Sequence, residues 1–175
     1  MRELIPEPLT AEAFAPYGSV IEASDDAVKI DINQGHATRY DALAQVDVAE
    51  GGGAPVISLF RARPLAELVL KTFERHPLGS QSFVPLSGRP FLVAVAPAGR
   101  FDPAAIHLFH AEPNQGVQYR KGVWHHFLLA QGGESDFLVV DRAGPGDNCE
   151  EVELAAGEAI RVRLHPIHPD ESRDP

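Results

Sequence analysis

Two short stretches of the sequence carry side chains that could do acid–base or metal chemistry together. Glu74 and His76 stand two residues apart, so they point to the same face of an extended segment. Gln81 follows beyond a Pro/Gly break, and His125 lies on a second extended stretch further along the chain. Imidazole titrates near neutral pH, and imidazole with carboxylate suits divalent Mn, Fe, Ni or Zn. If the stretches converge, these four residues predict either a metal site or a metal-free centre with His125, His76 and Glu74 as catalytic groups.

A second set of polar residues could bind an anionic substrate. Arg61 lies on the predicted strand Val56–Arg63 beside apolar neighbours, and a guanidinium can hold a carboxylate through two hydrogen bonds. The alternative is a structural ion pair, for which Asp141 is the predicted partner. Asp141, Gln81 and Lys121 complete the substrate-binding candidates, although a lysine such as Lys121 is often simply solvated. Three further arginines are alternatives for holding a carboxylate: Arg39, Arg75 and Arg142.

The elements that must position these residues are short strands. Phe91–Ala96 is continuously apolar, which predicts a strand covered on both faces, and Val28–Ile32 alternates as a half-buried strand does. Thr10 can cap a short helix over Ala11–Phe14, and Asp102 can cap one further turn. Many short strands separated by Gly/Pro turns predict an all-β barrel or sandwich with a few short helices.

The domain organisation follows from composition along the chain. Leu68–Glu74 leads into the first of the two stretches. The remaining predicted strands are Ser19–Glu22, Ala37–Tyr40, Val46–Val48, Val56–Arg63, Ile106–His110, Gly116–Tyr119, Val123–Leu129, Phe137–Asp141 and Cys149–Leu154. From Leu164 onward the sequence becomes rich in His and Pro and cannot pack regularly. We therefore expect one β-barrel domain over residues 1–163 and a flexible C-terminal tail over residues 164–175.

The composition limits the kinds of partner that this chain can bind. The chain has 175 residues, enough for one domain with a sizeable core. Acidic residues outnumber Lys plus Arg by 25 to 15, which argues against a nucleic-acid partner because phosphate binding needs a basic patch. Cys149 is the one cysteine, which suits a reducing cytoplasm, and no apolar run is long enough for a signal peptide or a membrane span. We expect a soluble cytoplasmic protein that binds a small molecule.

The two stretches resemble the two sequence motifs of the cupin superfamily. The first cupin motif runs H-x-H, four residues, E, six residues, G, and this chain has at the same spacing Glu74, His76, Gln81 and Gly88. The second motif runs P-x-G-x-x-H, then three residues to N, and this chain has at those positions Arg120, Gly122, His125 and Leu129. The resemblance implies a double-stranded β-helix in which Glu74, His76, Gln81 and His125 occupy the usual metal-ligand positions.

Further pieces narrow the resemblance to the ureidoglycolate lyase family. They lie between about Leu9 and Glu153, and they are Leu9–Gly18, Ile57–Ala62, Glu74–Gln81, Val123–His126 and Asp136–Arg142. The resemblance implies a homodimeric carbon–nitrogen lyase that cleaves (S)-ureidoglycolate to glyoxylate and urea in allantoin breakdown. If a metal is bound, we expect nickel or manganese, and nickel is the one that the resemblance suggests most.

The roles that the resemblance implies follow from this reaction. Arg61 would hold the substrate carboxylate, His125 would be the base, and Glu74 or His76 would be the acid. Two other readings stay open: a cupin that binds a small carboxylate without turnover, and another metal-dependent cupin enzyme. A urea assay with and without a chelator distinguishes the three.

Overall fold

The computed structural model describes residues 1–164, and over that range the chain is almost entirely β-structure, which confirms the predicted fold class. The strands are β1 Arg2–Leu4, β2 Glu7–Pro8, β3 Gly18–Ile21, β4 Lys29–Ile32, β5 Ala37–Tyr40, β6 Ala54–Ala62, β7 Val69–Leu70, β8 Thr72–Arg75, β9 Gln81–Pro85, β10 Phe91–Ala96, β11 His107–Ala111, β12 Gly116–Tyr119, β13 Trp124–His125, β14 Leu129–Ala130, β15 Ser135–Ala143, β16 Glu150–Glu153 and β17 Ile160–Val162. The helical segments are α1 Ala11–Phe14 and the 3-10 turns Asn33–Gly35, Glu50–Gly52 and Pro103–Ala105. The predicted C-terminal tail lies, from residue 165 onward, outside the described residues.

Two sheets enclose the main core in a cupin-like arrangement. One sheet has the order β16-β8-β13-β10-β11-β2, with β14 also paired to β10, and the other has the order β3-β12-β9-β15-β6. Alternate residues of both sheets point inward and form one buried apolar cluster, because successive side chains of a strand point to opposite faces. Its members include Phe83, Phe91, Val93, Val95, Phe109, Val117, Phe137 and Val139.

The strand β10 is buried on both faces, as its continuous apolar sequence predicted. Its odd-numbered residues join the main core. Leu92, Ala94 and Ala96 join a second apolar cluster with Leu70 and Ile160, which belong to the three-stranded sheet β1-β17-β7. A strand between two cores cannot slip in register without exposing one apolar set, so β10 is a fixed reference for the strands beside it.

The predicted helix caps are confirmed by hydrogen bonds. The Thr10 hydroxyl accepts a hydrogen bond from the Ala13 amide at 3.1 Å, at the start of α1. The Asp102 carboxylate accepts one from the Ala104 amide at 2.9 Å, at the start of the third 3-10 turn. Each cap pairs an amide that the first helical turn leaves without a partner.

The segment predicted as one strand over Val123–Leu129 is instead two short strands separated by a bulge. On β10, Val95 pairs with His125 and Leu92 pairs with Leu129. Three residue steps along β10 therefore lie opposite four steps along the segment from His125 to Leu129. The extra residue cannot join the ladder, and it interrupts the strand between β13 and β14. A bulge of this kind turns the side chains beside it, and it lies directly after His125.

Two other strand predictions differ from the structure. The segment Lys29–Ile32 is a strand, but all four of its residues are exposed, because β4 pairs only with β5 within the described residues. The predicted strand Val46–Val48 is a loop instead, with Val48 buried and Asp47 bonded through its backbone to Ser80. In both cases the sequence pattern indicated an apolar face but not whether another element covers that face.

None of the helices among residues 1–164 has the length and apolar character needed to span a membrane.

Candidate active site

The structure brings Glu74, His76 and His125 together at one face of the larger sheet. Glu74 on β8 pairs directly with His125 on β13 and, on its other side, with Glu151 on β16. Directly paired residues share a face, so these side chains form a row across the sheet. His76 follows β8 by one residue, and its Nε2 lies 3.8 Å from Oε1 of Glu74. The same Glu74 oxygen lies 3.8 Å from Nδ1 of His125.

The facing sheet supplies the opposite wall. Tyr119 on β12 pairs directly with Gln81 on β9, so both side chains point toward the first sheet. The Tyr119 ring stacks on the His125 ring with centroids 4.3 Å apart and planes within 9°. Gln81 donates a long hydrogen bond of 3.4 Å from Nε2 to Asp141, while its Oε1 is buried without a partner among residues 1–164.

A cavity of about 400 Å³ opens between the two sheets, within the size range of small-molecule sites. Its polar lining includes Glu74, His125 and Tyr119, whereas His76 and Gln81 are not among the lining residues. Phe60 and Phe127, which are 41% and 49% exposed, lie on the same cavity. The remaining lining residues are Arg61, Ala62, Arg63, Phe83, His126 and Leu128.

The protonation of His76 follows from its contacts. Nδ1 lies 2.6 Å from the backbone carbonyl oxygen of Asn148, and a carbonyl only accepts hydrogen bonds, so Nδ1 carries the proton. Nε2 then has a free lone pair, and this atom is buried without a hydrogen-bond partner among the described residues. The side chain of Asn148 accepts a hydrogen bond from the Leu78 amide at 2.8 Å, which ties this loop to the segment after His76.

Burial shifts the pKa values of the groups around the cavity. Desolvation, assisted by the nearby His76, lowers the pKa of His125 to about 3, so His125 is neutral at neutral pH. Desolvation also raises the pKa of Glu74; the neighbouring His76 opposes this effect and the carboxylate of Glu151 adds to it. The pKa of Tyr119 is raised by burial and by Glu74, so its hydroxyl keeps its proton.

The donor set fits a divalent metal. One carboxylate oxygen of Glu74 and one ring nitrogen from each of His76 and His125 lie within 4.8 Å of one another. A histidine ligand usually donates its other ring N–H to a carbonyl or carboxylate, and His76 does so to Asn148. The buried Oε1 of Gln81 is a further oxygen donor without a partner among residues 1–164.

Arg61 lies at the cavity, but its guanidinium is occupied by an ion pair. Nε and Nη2 donate to the two oxygens of Asp136 at 2.7 and 2.9 Å. The predicted pairing with Asp141 is wrong, because the register of β15 on β6 places Asp136 opposite Arg61 and Asp141 opposite Val56. The exposed position of this pair leaves Arg61 open to solvent.

The structure does not bring the other predicted cations to the cavity. Lys121 binds Glu50 at 2.9 Å and Asp47 at 3.2 Å, and neither it nor Asp141 lines the cavity. Each of the three alternative arginines has other partners. Arg39 pairs with Asp41, and Arg75 pairs with Glu150 and lies over the Trp124 ring. Arg142 donates hydrogen bonds to the backbone carbonyls of residues 50, 51 and 145.

Two residues of the site escaped sequence reasoning. Tyr119 ends a predicted strand six residues before His125, and that proximity to the second motif was the available signal. Asn148 contacts His76 through its backbone carbonyl. Every residue has this group, so the residue type gives no sign of the contact. His126 also lines the cavity, and it packs edge-on against Phe73 with ring centroids 5.6 Å apart.

Taken together, the fold and site define a cupin-like protein whose cavity holds a carboxylate, two imidazoles and a phenol. A family profile described as ureidoglycolate lyase matches residues 1–162. The chain is 52% identical over 155 residues to a Burkholderia mallei protein named ureidoglycolate lyase, covering 88% of this chain and 91% of that one. Proteins of the same name from Pseudomonas syringae pv. syringae and Pseudomonas putida are 47% and 49% identical, with 95% and 94% of this chain covered and 99% of each relative. The chain belongs to the ureidoglycolate lyase family.

Proposed function

We propose that this chain is a lyase that cleaves (S)-ureidoglycolate to glyoxylate and urea, a step of allantoin degradation. Its family and the names of its relatives support the reaction. The observation that carries it structurally is the free, buried Nε2 lone pair of His76, which lies 3.8 Å from Glu74, a residue that lines a small-molecule cavity. The reaction needs one base and one acid, and these two residues supply both.

The mechanism is an elimination at one carbon. Ureidoglycolate carries a hydroxyl and a ureido nitrogen on the carbon next to its carboxylate. His76 Nε2 takes the hydroxyl proton, the C–O bond becomes C=O, and the C–N bond electrons move to nitrogen. Glu74, whose raised pKa favours its protonated form, delivers a proton to that nitrogen and urea leaves.

His125 takes a different role in this scheme from the base role that the resemblance implied. A group with a pKa of about 3 is a poor proton acceptor at neutral pH, because general bases work best near the operating pH. We assign His125 to orienting Glu74 and the substrate. Arg61, at the cavity, would hold the substrate carboxylate, with Arg63 beside it. Lys121 and Asp141 lie outside the cavity lining, and no substrate contact is assigned to them.

A divalent metal, nickel or manganese, would be held by Glu74, His76 and His125, with Gln81 as a weaker fourth ligand. When bound it would polarise the substrate hydroxyl and lower the pKa of that group. Binding is tested without turnover by adding Ni²⁺ or Mn²⁺ to metal-stripped protein and measuring the thermal midpoint. A rise that is lost in Glu74→Gln supports the site, and an unchanged midpoint argues for the metal-free centre.

We further propose that the protein acts as a homodimer in the cytoplasm. β6 is an edge strand of nine residues, paired only with β15 among the described residues. Ile57 and Leu59 on it are 69% and 66% exposed, and a long, exposed apolar edge strand is a ready template for pairing with another chain. Cys149 is an exposed free thiol, which suits a reducing compartment.

Urea release from ureidoglycolate by the purified protein tests the proposed reaction. We expect turnover by the wild type and at least a 100-fold loss in Glu74→Gln, since acid–base groups contribute about 10²–10⁴-fold. Glu153→Gln, an exposed carboxylate on β16, is the matched control and should retain full rate. Binding of ureidoglycolate without urea would favour the non-catalytic alternative. Turnover that a chelator abolishes would favour a metal-dependent reaction.

A further inference from the structure

The hydroxyl of Tyr119 has no hydrogen-bond partner among residues 1–164, and it takes no part in the mechanism proposed above. Tyr119 is 4% exposed and lines the cavity, and its hydroxyl makes no hydrogen bond to any residue that the structure describes. A buried tyrosine hydroxyl normally finds a partner, because an unpaired one loses its bonds to water. The hydroxyl is not among the fully buried atoms that lack a partner in residues 1–164, so it reaches solvent, and the cavity that Tyr119 lines is where a ligand can bond to it.

The ring of Tyr119 is held on several sides. It stacks on His125 at 4.3 Å and contacts Phe14 and Phe83, with ring centroids at 6.2 and 5.9 Å. Its strand β12 is paired on both edges, with β3 and with β9. A donor fixed in this way needs no reorganisation when charge develops on a bound ligand, which is the property of an oxyanion-type hydrogen bond.

The three polar parts of ureidoglycolate can be matched to three parts of the cavity. The cations Arg61 and Arg63, which also pair with Asp136 and Glu134, suit the carboxylate. Glu74 lines the cavity and His76 lies 3.8 Å from it, and this pair suits the hydroxyl and the bond to nitrogen. The ureido carbonyl oxygen remains, and it needs a donor. Tyr119 lies across the cavity from Glu74, because the two residues belong to facing sheets.

We propose, on the basis of the reaction proposed above, that the Tyr119 hydroxyl donates a hydrogen bond to the ureido carbonyl oxygen of the substrate. As the C–N bond breaks, its electron pair delocalises from nitrogen onto that oxygen, and the hydrogen bond strengthens. The hydroxyl proton of the substrate goes to His76 and the nitrogen receives its proton from Glu74. Tyr119 keeps its own proton throughout and is a catalytic residue that stabilises the leaving group.

Tyr119→Phe removes only the hydroxyl and keeps the ring stack on His125. Tyr17→Phe is the matched control, because Tyr17 is equally buried, lies in the same aromatic cluster and does not line the cavity. We expect kcat for urea release to fall about 100-fold in Tyr119→Phe, with KM changed less than about threefold, since one such donor contributes about 10²–10³-fold to kcat. Tyr17→Phe should keep the wild-type kcat, and equal thermal midpoints establish that both variants fold.

Binding of the two products locates the contact. Calorimetric titration should show weaker binding of urea to Tyr119→Phe and unchanged binding of glyoxylate, which has no ureido group. An unchanged kcat, or weakened binding of glyoxylate instead of urea, overturns the proposal. If the wild type releases no urea, the proposed reaction is wrong. Even then, a selective loss of urea binding in Tyr119→Phe supports recognition of a ureido group by Tyr119, and its retention refutes it.

Discussion

Nδ1 of His76 donates its proton to the backbone carbonyl oxygen of Asn148 across 2.6 Å, and this contact leaves Nε2 as the proton acceptor. The two residues are 72 positions apart in sequence. The Asn148 side chain holds the contact in place by accepting a hydrogen bond from the Leu78 amide. The loop before β16 therefore sets the tautomer of His76, which directly follows β8 and is the proposed base.

Replacing Asn148 with Ala should loosen this loop and lower kcat/KM for urea release by about 10-fold, within the range for residues that orient a reactive histidine. Asn148→Asp keeps an acceptor for the Leu78 amide and should recover most of the rate. The measurement is the pH profile of kcat/KM for both variants. Equal losses in Ala and Asp would contradict a positioning role for the Asn148 side chain.

His125→Ala should reduce urea release by about 10- to 100-fold, because it removes both the imidazole that orients Glu74 and the stacking partner of Tyr119. Circular dichroism should show an unchanged fold. His107→Ala, at an exposed histidine on β11, provides the control and should behave as wild type. Full turnover by His125→Ala would remove this residue from the mechanism.

Acid should destabilise the fold through its buried histidines. Burial lowers the pKa of His126 to about 4 from an ordinary 6.5, so between these values the unfolded chain binds a proton that the folded chain does not. Stability is therefore lost as pH falls from 6.5 toward 4, by about 3 kcal/mol from His126 at 1.36 kcal/mol per pKa unit. Guanidinium denaturation at several pH values measures this loss. The decline should be shallower in His126→Leu, and an identical slope would exclude His126 as its source.

Arg61→Ala should raise KM for ureidoglycolate about 10-fold and leave kcat nearly unchanged, if Arg61 holds the carboxylate. Asp136→Ala releases the guanidinium from its ion pair, so KM should stay the same or fall. Steady-state kinetics of both variants decide between the two roles. If Arg61→Ala leaves KM unchanged, Arg61 serves only the ion pair, which is worth little at an exposed site.

Leu59→Lys should convert a dimer into a monomer, because it places a charge in the middle of the exposed apolar strand β6. Ile5→Lys introduces the same charge at another exposed apolar residue and should leave the assembly intact. Light scattering after size-exclusion chromatography measures the mass of each variant. A dimer that survives Leu59→Lys would place the subunit contact elsewhere.

Much of the fold could be predicted from local sequence patterns. Phe91–Ala96 and Gly116–Tyr119 have the bounds that alternation and apolar runs predicted, and α1 has its predicted cap. These features depend on residues close together in sequence, so the sequence reports them directly. The exposure of Lys29–Ile32 could not be predicted, because covering a strand requires an element from elsewhere in the chain.

The bulge after His125 and the partner of Arg61 both depend on strand register. Register is set by which strand pairs with which, and a shift of one residue changes every partner. The pairing of β15 with β6 puts Asp136 rather than Asp141 beside Arg61. From the residue types alone, Asp136 and Asp141 were equally good partners for Arg61.

The sequence by itself determined the residue types of the site, because motif spacing and strand periodicity place Glu74, His76 and His125 on predictable faces. Only the tertiary structure decided how they contact one another. The bond from His76 to the Asn148 carbonyl joins segments 72 positions apart, and the stacking of Tyr119 on His125 brings together strands of different sheets. Such contacts arise when two sheets close on one core, and burial in that core is also what shifts the pKa values of Glu74 and His125.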